Sequence, residues 1–178
     1  VWLFLVVLVV AVWAIATYNR LLTYRHRVEN ARAQVDVQLK RRYDLIPRLI
    51  ETVRGYAQHE ERIFERITQL RAQALQSLSP QQQEALEGEV RHHLNSLIAL
   101  AESYPELKAN ENFLNLQEEL SDTEDKIRYA RQFYNDTVMR YNLSIQRFPN
   151  LLLAPMLGFR PQPLFTLDEA VQEREVPR

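Results

Sequence analysis

The sequence predicts an all-α protein in which an N-terminal transmembrane helix continues into an antiparallel four-helix bundle. Three observations carry this expectation. Residues 1–16 include no charged and no strongly polar side chain. Beyond them, apolar residues recur at helical spacing through most of the chain. Only 3 Gly and 8 Pro occur in 178 residues, too few turn-formers for an all-β domain and too few glycines for a phosphate-cradling loop. The predicted division is an anchor over residues 1–17, a bundle over 18–148, and an extended apolar segment with a charged tail over 149–178.

As a helix rising 1.5 Å per residue, the apolar run covers about 24 Å, a little short of a hydrocarbon core about 30 Å thick. Thr17 and Tyr18 extend it at the interface, the lack of an initial Met points to residues preceding Val1, and Trp2 and Trp13 suit interfacial positions. Ala14-Ile15-Ala16 has the small-x-small pattern of a processing site. Because amphipathic helix runs on directly past it, a retained anchor is favoured over a cleaved signal. Arg20, Arg25, Arg27, Arg32, Lys40, Arg41 and Arg42 follow the run against only Glu29 and Asp36. That bias places the N-terminus outside and the bundle in the cytoplasm.

From Tyr18 to about Gln76 the pattern reads as one very long helix or two nearly collinear ones. Val28, Val35, Leu49, Tyr56, Ile63 and Leu70 form one heptad seam, and Leu39, Ile46, Val53, Ile67 and Ala74 the other. Arg42 and Glu60 interrupt the seams, marking layers where helices diverge or where polar groups meet. Pro47 is expected to bend the helix and Gly55 to weaken it. Ser79-Pro80-Gln81-Gln82 signals a restart, with Ser79 as the cap. Leu86, Val90, Leu94, Leu97 and Ala101 form the stripe of the next helix, which Pro105 ends.

Phe113, Leu116, Leu120, Ile127, Phe133, Tyr134, Val138, Tyr141, Ile145 and Phe148 make the last apolar series. Unbroken, that helix would run about 57 Å and overshoot the bundle, so a break is expected at Ser121-Asp122-Thr123-Glu124, where Ser121 and Glu124 have capping-box spacing. After Pro149, an apolar stretch among prolines is expected to pack along the bundle, and the end from Asp168 to fray.

Little here promises chemistry. With 0 Cys there are no disulfides, thiolate sites or thiol nucleophiles, and 22 Lys+Arg against 23 Asp+Glu give no global field for nucleic acid. Glu89 and His92 share a helix face at the spacing of bundle metal sites, but the second Glu-x-x-His such sites need is missing. His59-Glu60-Glu61-Arg62-Ile63 lacks the second histidine of the zinc-protease pattern. No catalytic, metal or cofactor residue is therefore assigned, and a metal-dependent enzyme using Glu89 and His92 is the competing reading. The feature least explained by composition is the Tyr-Asn pair, found at Tyr18-Asn19, Tyr134-Asn135 and Tyr141-Asn142. These six residues are expected to form a structural polar layer, with Tyr–Asn hydrogen bonds fixing the register of the first and last helices. Val28, Val35 and Leu39, with Leu151, Leu152, Leu153, Met156 and Phe159 of the tail, are the expected interaction surface. Its occupant is a protein partner or a second copy, beside the bilayer contact of residues 1–17.

Taken in order, Val35-Asp36-Val37-Gln38-Leu39-Lys40-Arg41-Arg42, Asp44-Leu45-Ile46-Pro47, Gly55-Tyr56-Ala57, Ala109-Asn110, Phe113-Leu114, Thr123-Glu124, Ala130-Arg131, the Tyr-Asn pairs, Phe148-Pro149 and Gly158-Phe159 make the chain resemble the LemA family of bacterial membrane proteins. The resemblance covers nearly the whole chain. It implies a single-pass anchor in the bacterial inner membrane, a cytoplasmic antiparallel four-helix bundle, and scaffold or accessory work at membranes. It supplies no catalytic residues.

Overall fold

The protein was described from a computed structural model covering residues 1–76 and 80–165. The Ser79 cap and the charged tail from Asp168 lie outside the described residues. Among these the elements are helices: α1 (Trp2–Arg54), α2 (Glu61–Ala74), α3 (Pro80–Glu102), α4 (Pro105–Lys108), α5 (Glu111–Gln146) and α6 (Asn150–Leu153). The chain divides into two compact units, one formed by residues 1–35 with 129 onward and the other by residues 36–128. Both α1 and α5 contribute to each.

In the unit of residues 36–128, the expected collinear run ends at Arg54. Tyr56 and Ala57 both donate their N–H groups to the Val53 carbonyl, at 3.0 and 2.9 Å, and α2 then returns antiparallel, with Arg54 bonded to Glu61 and Arg71 reaching Tyr43. A heptad count carried across this reversal keeps Ile67 and Leu70 in the core but misplaces other positions. Tyr56 is exposed, whereas Phe64, absent from the expected seam, is fully buried. Pro47 stays inside α1. It has no N–H for the carbonyl four residues back, that of Tyr43, and Arg71 Nε donates to that carbonyl at 2.8 Å. The side chain of α2 thus satisfies the acceptor that proline leaves open in α1.

The break expected at Ser121 does not occur, and α5 is continuous from Glu111 to Gln146. Nothing in the segment forces a stop, and its polar groups are engaged otherwise. The Thr123 hydroxyl, fully buried, donates to the Glu119 carbonyl one turn back at 2.7 Å, and Glu124 accepts from Arg42 at 2.8 Å instead of capping. The true start of α5 is set by Asn110, whose Oδ1 accepts the Phe113 N–H at 3.1 Å while its Nδ2 donates to the Tyr56 hydroxyl at 3.1 Å. The length that looked surplus in sequence lets α5 serve both units.

In the other unit, α1 buries Thr17, Leu21, Val28, Ala31 and Val35, and α5 buries Tyr134, Val138, Tyr141 and Ile145. Ala154, Phe159 and Phe165 complete this core. Before Thr17 the side chains of α1 are exposed except for the half-buried Ala14, and the most apolar 18-residue window has mean hydropathy 2.1 with 6% of it buried. A helix serving as the core of a water-soluble bundle would be covered. This one is apolar on all faces and long enough to cross a bilayer.

Candidate functional site

Two Tyr-Asn pairs act together, but on a different partner from the one expected. Tyr141 Oη donates to the Arg160 carbonyl at 3.0 Å and Tyr134 Oη to the Pro163 carbonyl at 3.1 Å. Each asparagine makes a two-point bond to one residue of the same strap. Asn142 Nδ2 donates to the Gln162 carbonyl and its Oδ1 accepts the Gln162 N–H, both at 2.9 Å, and Asn135 does the same with Phe165, both at 2.9 Å. Seven helical residues rise about 10.5 Å and three extended residues span about 10 Å, so the two periods match. Pro161 and Pro163, which lack an N–H, leave no donor of their own to satisfy. The repeat on α5 therefore measures out an extended strap antiparallel to it.

Tyr18 and Asn19 do not join this arrangement. Asn19 is exposed, and the Tyr18 ring packs edge-on to Phe159 at 5.8 Å. The Arg25 guanidinium lies 5.5 Å from the centre of the Phe159 ring, and Arg32 and Arg131 lie 4.9 and 5.5 Å from that of Phe165. Burial pushes the phenols of Tyr134 and Tyr141 up from their ordinary value, opposed by Arg32 for the first and by Arg25 for the second.

Gly158 sets the strap's entry. Its φ of +79° is left-handed, Gly158 N–H bonds to the Pro155 carbonyl at 3.2 Å, and Phe159 N–H reaches the Ala154 carbonyl at 2.9 Å. This is a Schellman motif, closed by the buried pair Ala154 and Phe159.

The expected interaction surface divides. Val28, Val35, Leu39 and Phe159 are buried within the chain and present nothing outward, and Leu153 is half-buried. Leu151, Leu152 and Met156 are exposed, Met156 at 82%. Periodicity identifies Val28, Val35 and Leu39 as an apolar seam; what it lacks is how much of α1 the long α5 and the strap cover. A second exposed set, not anticipated, lies on α5: Tyr129, Phe133, Met139 and Leu143. Phe133 belongs to the apolar series expected in the core, and its slip by one position from Tyr134 is the available signal that it faces elsewhere.

Several charged groups in the unit of residues 36–128 are paired with one another. Arg42, 2% exposed, bonds to the buried carboxylate of Glu87 and to Glu124. Burial pushes its guanidinium down from its ordinary value, with the Glu124 carboxylate opposing. Glu89, half of the Glu-x-x-His pair, is bonded to Arg66 at 2.6 Å, and His92 stacks edge-on against His93. Among the described residues no group of three or more His, Cys, Asp or Glu is placed to hold a metal ion. A groove of about 870 Å³ between α1 and α2 is lined by Ile46, Pro47 and Ile50, but Arg54 there is paired with Glu61 and Arg71 with the Tyr43 carbonyl.

The LemA family profile matches residues 31–178. The chain is 26% identical over 155 residues to Protein LemA of Metamycoplasma hominis, covering 85% of this chain and 69% of that protein. It is 26% identical over 169 residues to Magnetosome protein MamQ 2 of Paramagnetospirillum magneticum, and 25% identical over 169 residues to Magnetosome protein MamQ of Magnetospirillum gryphiswaldense. Those two matches cover 80% of this chain and 62% of each relative, so the chain spans less than two thirds of their length. With a matched span that takes in the C-terminal part of α1, the Arg42 layer and the strap docked on α5, this membrane-associated helical chain belongs to the LemA family.

Proposed function

We propose that the chain is a membrane-anchored accessory protein that works by protein–protein contact, held by residues 1–17 with its bundle at the cytoplasmic face of a bacterial inner membrane, and that it self-associates through α5. The observation that carries this reading is the exposed stripe of Tyr129, Phe133, Met139 and Leu143, at 71%, 54%, 52% and 49% exposure. At 100° per residue these four fall within about a third of the helix circumference. Large apolar side chains concentrated on one helix face mark an interaction surface, whereas scattered ones do not. Asp136 and Arg140 lie within the same stripe, one turn apart and both exposed. A second copy laid antiparallel across a two-fold axis between them would set each Asp136 against the other copy's Arg140. The relatives add weight of a general kind, being named for the family or for the magnetosome and not for a reaction.

The test is the mass of the full chain in mild detergent by light scattering, beside a copy lacking residues 1–17 and a Phe133→Arg/Met139→Arg variant. A species larger than the 21.1 kDa protomer is expected for the full chain, reverting to the protomer in the double variant. A wild-type chain that is monomeric with and without the anchor sinks the proposal.

A further inference from the structure

Between the end of α5 and the start of the strap, a turn carries Phe148 at 80% exposure, Leu151 at 52%, Leu152 at 62% and Met156 at 82%. Asn150 Nδ2 bonds the turn to the Ser144 carbonyl of α5 at 2.9 Å, and its far end closes on Ala154 and Phe159. Phe159 in turn packs on Tyr18, the residue at which the apolar run of α1 gives way to polar sequence. The exposed apolar turn is thus fixed beside the end of the helix that crosses the membrane.

Its charge is equally one-sided. Residues 1–28 and 137–165 contain Arg20, Arg25, Arg27, Arg140, Arg147 and Arg160 and no Asp or Glu. Arg147 and Arg160 bracket the turn and are exposed, as is Arg20. Among the described residues, an exposed apolar turn bracketed by Arg147 and Arg160 matches the boundary between acyl chains and anionic headgroups. A protein partner would need its own complementary surface there; the bilayer is already at that position through α1.

We infer that the turn of residues 148–157 is a second membrane contact, with Phe148, Leu151, Leu152 and Met156 seated at the headgroup boundary and Arg147 and Arg160 on anionic headgroups. The chain has 0 Cys, so single cysteines can be placed and labelled cleanly. The full chain is reconstituted in phosphatidylcholine vesicles with and without phosphatidylglycerol, with a spin label near the top of the acyl chains. An environment-sensitive fluorophore is attached at Leu152→Cys, Met156→Cys or, for comparison, Tyr129→Cys. Met156 is so exposed that its replacement removes almost no packing, which protects the test from a folding artefact.

Quenching at 152 and 156 is expected to exceed that at 129 by about twofold or more, since membrane-seated residues lie within reach of the quencher. The Arg147→Gln/Arg160→Gln variant is expected to lose the part of the quenching that depends on phosphatidylglycerol. Quenching at 152 and 156 no greater than at 129 overturns the inference. So does a label at 152 that is unquenched by lipid while the unlabelled Leu152→Cys chain, treated with an added oxidant, forms a disulfide between two copies, which would assign the turn to a protein interface. Quenching indifferent to phosphatidylglycerol overturns the headgroup assignment. Because Tyr129 lies in the α5 stripe, the comparison is repeated in the Phe133→Arg/Met139→Arg background, where the same excess at 152 and 156 is expected whether or not the stripe self-associates.

Discussion

Arg42 and Arg71 show how single residues hold one helix to another. The Arg42 guanidinium is buried with the Glu87 carboxylate and is also bonded to Glu124. Desolvation makes such a pair a weak net source of stability but makes half of it very costly. Arg42→Met is therefore expected to destabilise the protein by about 3–5 kcal/mol by taking the buried counter-charge away from Glu87, and adding Glu87→Leu to recover most of that loss. Denaturant unfolding followed by circular dichroism measures both; a double variant no better than Arg42→Met would refute the stranded-charge account. Arg71 depends on Pro47 in a different way. Arg71→Gln is expected to cost about 1.5–3 kcal/mol by removing a charged donor from the Tyr43 carbonyl. In a Pro47→Ala background residue 47 regains an N–H for that carbonyl, so the cost of Arg71→Gln should shrink. Strict additivity in this double-mutant cycle would show the two to be independent. The sequence marked Arg42 as an interruption of a seam and Pro47 as a helix fault. It could name neither partner, since Glu87 and Glu124 are 45 and 82 residues from Arg42, and Arg71 is 28 residues from the Tyr43 carbonyl it serves.

At the scale of elements, helix existence was legible from apolar periodicity, and helix ends were legible where a residue could act only as an end. Pro105 was of this kind, and the end expected at Phe148 falls two residues earlier, at Gln146; Ser121 was not, because serine and glutamate at capping distance serve equally well inside a helix when Thr123 and Glu124 find other partners. The Tyr-Asn repeat was legible as a device without a partner, because the strap it reads is extended and carries no period of its own. Gly158→Ala forces a β-carbon into a left-handed residue and is expected to cost about 1–2 kcal/mol, read as faster hydrogen exchange at the Gln162 and Phe165 amides. Unchanged exchange at both would show that the strap docks without the motif that aims it. Alkaline pH acts on the same element. Burial raises the Tyr134 and Tyr141 pKa above the unfolded value of about 10. The folded state then holds protons that the unfolded state releases, so stability is complete below about pH 10 and falls as pH rises through the folded values. Thermal melts from pH 8 to 11 should show this slope reduced in Tyr134→Phe/Tyr141→Phe; an identical slope in the double variant would assign it to other groups.

Across the whole molecule, the telling property is that α1 has no joint between its apolar run and its buried stripe. The helix is continuous from Trp2 to Arg54, and burial begins at Thr17 and Leu21, within a turn of the last apolar-only residues. A flexible tether would need a glycine-rich break there to uncouple rotation, and residues 1–54 contain no glycine. The expectation is that contacts made by the anchor in the bilayer reach Tyr18 and its Phe159 neighbour as rotation and depth. Inserting a short Gly-Ser linker after Tyr18 preserves the apolar run, the α5 stripe and the strap but removes this mechanical coupling. If anchor and bundle act as one rigid element, the linker should shift the chain's assembly in detergent toward the protomer although every interface residue is intact. Helical content by circular dichroism would confirm that the bundle still folds. Assembly unchanged by the linker would mean that the N-terminal helix only attaches the bundle to the membrane, leaving α5 alone to set how copies meet.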